Sequence, residues 1–171
     1  ANTTGGAYHA PKNKEIFVLP DETAKIEILS DTNVLEANSM SSGNLTFRLL
    51  DQYGNLVNNS FLQIAVFAFG DAVLDEAEDQ SPLIPGVQMN VSKGFADISL
   101  HAQDKTGEVS VYVVLLDQEL SDEFVDAAIA GEPIDLGGVI GASKKFTILQ
   151  ETKLQATVDD MEIPADGESV T

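Results

Sequence analysis

The chain has 171 residues, 43% of them hydrophobic, with no cysteine or tryptophan and a formal net charge of −19 from 28 acidic and 9 basic residues. That composition can bury a core, and it excludes disulfides and thiolate metal sites. So acidic a surface repels phosphate backbones and anionic headgroups, and no apolar run nears the roughly 20 residues a membrane helix needs; nucleic-acid binding and direct membrane insertion are therefore not expected.

In chain order, residues 14–19 read as the end of one unit. Phe17-Val18-Leu19-Pro20 leads through Glu22-Thr23 into a new strand, Lys25-Ile26-Glu27-Ile28-Leu29-Ser30-Asp31, whose run continues to Leu35-Glu36-Ala37-Asn38. Period-two alternation then sets in, the signature of half-buried strands. Leu45, Phe47 and Leu49 alternate with Thr46 and Arg48, and the turn Asp51-Gln52-Tyr53-Gly54-Asn55 follows. Leu62, Ile64, Val66 and Ala68 alternate with Gln63, Ala65 and Phe67. Residues 70–86 form a first acidic insertion between strands, ending in a Pro/Gly-rich turn. After Ser92-Lys93-Gly94, Ile98, Leu100 and Ala102 alternate with Asp97, Ser99 and His101. After Asp104-Lys105-Thr106-Gly107, Val109, Val111, Val113 and Leu115 alternate with Ser110, Tyr112 and Val114. Glycine supplies the positive φ such turns need, and Asp or Asn bonds the local backbone.

Residues 117–142 form a second acidic insertion. It is expected to hold a short helix, with Ser121 as N-cap, Asp122 and Glu123 in the first turn and Gly131 as terminator. Phe124, Val125, Ala128 and Ile129 would be the apolar stripe that packs it onto a sheet or sandwich end. The last strand holds Phe146 and Ile148 around Thr147. Then Phe146-Thr147-Ile148-Leu149-Gln150 leads through Glu151-Thr152 into Lys153-Leu154-Gln155-Ala156-Thr157-Val158-Asp159. The junction before Lys25 thus recurs before Lys153. The simplest organisation is a tandem array: 1–24 a preceding repeat's last strand plus linker, 25–149 a complete domain, 150–171 a linker and the next repeat's first strand. The alternative is chance likeness between two strands.

About seven short strands separated by turns predict an all-β, immunoglobulin-like Greek-key sandwich carrying the two insertions. Leu45-Thr46-Phe47-Arg48-Leu49-Leu50-Asp51-Gln52-Tyr53-Gly54-Asn55-Leu56-Val57 resembles the strand–Asp-x-x-Gly-Asn-x-Val–strand signature of bacterial immunoglobulin-like domains of the invasin/intimin type. Ile163-Pro164-Ala165-Asp166-Gly167-Glu168-Ser169-Val170-Thr171 resembles the opening of a following repeat. The resemblance spans roughly 25–69, 87–116 and 144–171. It implies a rigid spacer or interaction domain of a prokaryotic cell-surface protein, gives the Asp51/Gly54/Asn55 turn a structural role, and brings no catalytic residues.

The residues themselves offer little chemistry. His9 and His101 are the only histidines, too few for a zinc site, and His101 reads as a solvated residue on a strand's polar side. No nucleophile elbow or phosphate-binding glycine loop occurs, and Gly137-Gly138-Val139-Ile140-Gly141 reads as a flexible loop. An enzyme is not expected, and no cofactor is required. Calcium is the one candidate ion, because clustered loop carboxylates can supply its six to eight oxygen ligands. The candidates are Asp71, Asp75, Glu76, Glu78 and Asp79 in the first insertion, and Asp117, Glu119, Asp122, Glu123 and Asp126 in the second. Their spacing matches no EF-hand, and an ordinary solvated acidic loop is the competing reading. Asp31 and Asp159-Asp160, just past the two links, are a second place for an ion.

Asn2, Asn44, Asn58 and Asn90 lie in Asn-x-Ser/Thr, which marks candidate glycosylation sites on an extracellular surface. The leading functional expectation is a structural or adhesive repeat of a stalk, surface layer or filament, with neighbouring repeats or identical subunits as partners. The alternative is a module that binds a glycan or a host or cell-surface protein through its acidic loops. Few aromatics argue against a sugar platform.

Overall fold

The computed structural model describes residues 22–38, 40–58, 61–75 and 86–151. The segments 14–19 and 153–171, on which the tandem-array expectation rests, lie outside these. Among the described residues, nine strands and one helix follow in chain order: β1 (Lys25–Ser30), β2 (Val34–Glu36), β3 (Ser42–Leu50), β4 (Gln63–Phe69), β5 (Ala72–Leu74), β6 (Val87–Asn90), β7 (Phe95–Ala102), β8 (Gly107–Leu115), α1 (Asp122–Ala130) and β9 (Gly141–Leu149). They form two sheets, β1-β3-β7-β5 and β2-β9-β8-β4-β6. The first order, with the β9-β8-β4 centre of the second, is the strand arrangement of a constant-type immunoglobulin sandwich. The expected fold class holds.

Alternation builds the core between the sheets. Leu45, Phe47 and Leu49 of β3 are fully buried, and they meet Ile64 and Val66 of β4, Val109, Val111 and Val113 of β8, and Phe146 and Ile148 of β9. Each such side chain contributes roughly 1.5–3 kcal/mol on burial. Three short strands depart from the sequence reading. The run begun by β1 does not stay in one sheet. After Ser30 the chain turns, and β2 pairs parallel with the end of β9, Leu35 opposite Ile148. β5 lies inside the first insertion, which was expected to be loop, and pairs with β7. β6 pairs with the outer edge of β4.

Gly70 makes the crossing from β4 to β5 possible. Its φ is +124°, and a Cβ there would stand 2.7 Å from the Glu108 carbonyl oxygen and 2.9 Å from Val109 Cγ2. Both strain and collision act on any side chain at this point. Gly70→Ala is therefore expected to cost about 2–3 kcal/mol, read as a lower midpoint in urea at unchanged m-value.

The second departure concerns β4 and β8. One face of each meets the core between the sheets, and on the alternate face, whose surroundings the sequence left unassigned, Ala65, Phe67, Tyr112 and Val114 are buried as well. They form a second apolar cluster with Phe124 and Ala128 of α1, on the outer face of the second sheet. The second insertion thus folds down as a lid over two central strands. Its helix is capped as expected: Ser121 Oγ accepts from the Phe124 N–H at 3.1 Å, and Gly131 adopts the left-handed conformation at φ 71°. The expected stripe is half right. Phe124 and Ala128 are buried and Val125 is half-buried, but Ile129 is 64% exposed. Five residues at 100° each put Ile129 roughly 140° around the helix from Phe124, off the contact line.

Candidate functional site

Strand directions place the chain's entry to β1 and its exit from β9 at opposite ends of the sandwich. Lys25 lies opposite Leu50, and Arg48 opposite Phe95, so the chain enters β1 at the end that carries the Asp51–Asn55 turn. Ile148 lies opposite Gly107, and Glu36 opposite Leu149, so the chain leaves β9 at the other end. There Gln150 and Glu151 line a shallow hollow with Ala37 and the Asp104-Lys105-Thr106 turn.

At the entry end, Asp51 is 2% exposed and its carboxylate organises the turn that follows it. Its Oδ1 accepts from the main-chain N–H of Tyr53 and of Asn55, both at 2.8 Å, and Oδ2 accepts from Asn55 Nδ2 at 3.0 Å. Gly54 takes φ +89°, and the Asp51 N–H returns to the Asn55 carbonyl at 2.9 Å. The role is structural, as the motif implies. Tyr53 and Phe61 project from the same end, 72% and 90% exposed.

The described candidate calcium ligands are distributed, not gathered. Asp71 Oδ2 accepts from the Lys105 N–H at 2.6 Å, stapling the β4–β5 crossing to the β7–β8 turn. Asp75 Oδ1 sits 3.2 Å from His101 Nε2, so the histidine read as simply solvated is paired with a carboxylate. Asp117 and Glu119 lie on the exposed approach to α1. Asp122 and Glu123 occupy its first turn, where negative charge meets the helix N-terminus favourably, and Asp126 is exposed one turn on. Asp31 Oδ1 accepts from the Asn44 N–H at 2.9 Å. Glu76, Glu78, Asp79 and Asp159-Asp160 lie outside the described residues. Among the described residues, no three His, Asp or Glu side chains converge as a metal-binding group. Asn44, Asn58 and Asn90 are exposed, and Asn2 lies outside the described residues. Asn44 Oδ1 accepts from Ser99 Oγ at 3.0 Å, and Asn90 Oδ1 from Gln63 Nε2 at 2.9 Å.

Among the described residues, the outer face of the first sheet, unlike that of the second, carries no helix. Glu27 on this face bonds both Lys25 and Arg48, and the two cationic donors hold its carboxyl below the usual range. On the second sheet the Glu108 carboxylate raises Lys145 in the same way. Beside the first sheet's open face lies an acidic groove of about 890 Å³ between β6 and β7, lined by Asp75, Gln88, Asn90 and Asp97 among others. Sequence reasoning missed this groove, because alternation locates faces and says nothing about which strand edges stay open. No described helix is long and apolar enough to cross a membrane.

No protein-family profile matches the chain, and no curated protein sequence matches it. Among solved structures, a β-glucuronidase of glycoside hydrolase family 2 superposes on 78% of this chain with a TM-score of 0.54 at 11% identity. A glycosyl hydrolase family 2 member from Bacteroides cellulosilyticus superposes on 77% with a TM-score of 0.52 at 15% identity. This chain spans only 12% and 15% of those two chains. The D00-D0 domain of intimin superposes on 78% of this chain and 50% of its own, at 14% identity and a TM-score of 0.48, too loose a likeness to carry an argument. At these identities the shared feature is the fold: an immunoglobulin-like sandwich that also occurs as a small part of much longer chains.

Proposed function

We propose that the chain is a non-catalytic, structural or adhesive module of the invasin/intimin type, displayed on a prokaryotic cell surface within a string of similar modules. The observation that carries this reading is the path of the chain: it enters the sandwich at one end, beside Leu50, and leaves at the other, beside Gly107. A module threaded end to end transmits length and load along an array. The Asp51 clasp and the recurrence of a Glu-Thr link just before Lys25 and before Lys153, with Ala24 intervening in the first, support the same reading.

The test is autonomy. A protein limited to residues 22–151 is expected to unfold cooperatively with a Tm within about 2 °C of the full chain, since each kcal/mol shifts a domain of this size by about 2–4 °C or more. If trimming the flanks unfolds the protein or costs several kcal/mol, the flanks belong to the same core and the array reading fails. Calcium enters as a subsidiary proposal from the acidic insertions alone. Calorimetry in millimolar calcium against chelator tests it: a raised Tm supports a bound ion, and superimposable scans reject one.

A further inference from the structure

We propose that the open side of the sandwich between β6 and β7 receives an extended, basic protein segment by strand addition, a property beyond the spacer role. Both sheets end here in short strands. β5 covers only Leu100–Ala102 of β7, and β6 pairs with four residues of β4 through Val87–Asn90. In an antiparallel ladder successive residues turn their N–H and C=O to opposite sides. The Leu49 N–H donates to the Gly94 carbonyl at 2.9 Å, so Ala96, Ile98 and Leu100 face β3 while Phe95, Asp97 and Ser99 face outward. Phe95 exchanges both bonds with Ser92, at 2.9 and 2.8 Å, and the Ser99 carbonyl accepts from the Asp75 N–H at 2.8 Å. Asp97, between them, directs its N–H and C=O into the groove with no main-chain partner among the described residues. On β6, the Val91 N–H donates to the Leu62 carbonyl at 3.0 Å, which by the same alternation turns the main-chain groups of Gln88 and Asn90 outward.

An open edge invites a strand, and side chains choose which one. The groove lining holds two carboxylates, Asp75 and Asp97, and no basic residue. Asp97 Oδ1 is engaged by Thr46 Oγ1 and Asp75 Oδ1 by His101, which leaves the second oxygen of each for a visitor. A second copy of this chain, itself carrying a net charge of −19, would bring like charges together along the edge. A segment with Lys or Arg at alternate positions would instead lay cations over Asp75 and Asp97 while its backbone bonds Asp97, Gln88 and Asn90.

Fluorescence anisotropy of the full chain with a labelled alternating Lys-Thr octapeptide tests this, alongside the same peptide N-methylated on alternate amides. Binding is expected, weakened about tenfold or more by the N-methylation, by Asp97→Asn and by Gln88→Pro, a proline set where the N–H faces outward and the β4 ladder does not need it. The Asp122→Asn/Asp126→Asn pair on α1 removes more charge at a distance and is expected to change affinity less than about threefold. No binding, indifference to N-methylation, or equal loss in the α1 pair would each overturn the proposal. So would peptide-independent dimerisation through this edge, or binding that appears only when residues 76–85 are replaced by a Gly-Ser linker, which would make the chain's own connection the occupant.

Discussion

Asp51→Ala is expected to lower stability by about 3–4 kcal/mol, although the residue is polar and sits in a turn. Hydrogen bonds to a charged acceptor are worth about 1.5–3 kcal/mol each, and an orphaned buried donor adds about 1–3 kcal/mol. The Asp51 carboxylate accepts at least three bonds, among them two from main-chain N–H groups that alanine would strand. The loss is expected to fall short of the sum because water reaches the exposed Tyr53 side of the turn. Asp51→Asn, which keeps one acceptor oxygen, is expected to cost less than half as much. Urea denaturation of the three proteins side by side checks the order. An alanine variant within about 0.5 kcal/mol of the parent would show that the turn is held by Gly54 and chain connectivity instead.

Phe124→Ala is expected to cost about 3 kcal/mol and to release the helix from the sheet. The ring stands edge-on to Phe67, centroids 6.5 Å apart, and Phe67 stacks on Tyr112 at 5.5 Å. Truncating a buried Phe costs about 3–5 kcal/mol, with the low end expected here because this cluster lies near the surface and can partly collapse. A nine-residue helix is marginal without its packing face, so loss of the contact should melt α1. The readouts are reduced ellipticity at 222 nm, altered near-ultraviolet signal from Tyr112, and dye binding to the uncovered Phe67 face. Ile129→Ala, on the exposed side of the same helix, is expected to stay within about 0.5 kcal/mol. Equal effects from the two substitutions would mean that α1 does not seat as described.

Much of this was legible beforehand because it is written locally. Alternation of Leu45, Phe47 and Leu49, or of Val109, Val111 and Val113, assigns one face of a strand without reference to its partner. Ser121 and Gly131 mark a helix because an orphan N–H needs an acceptor and a left-handed residue needs no Cβ. The candidate calcium residues show the reverse. A run of carboxylates can be counted in the sequence, but convergence is a property of loops in space, and the described members point to separate local partners such as the Lys105 N–H and His101.

Residue order alone therefore determined the antiparallel sandwich, its turns, the Asp51 clasp and the caps of α1, since each depends on periodicity or on contacts within a few residues. Tertiary structure alone decided that Phe67 and Tyr112 are core residues and not surface ones, that β2 and β5 switch sheets, and that, among the described residues, the outward main-chain groups of β6 and of Asp97 on β7 meet no strand. The physical reason is that burial of an outward face, and pairing of an edge, depend on what a distant segment lays across it.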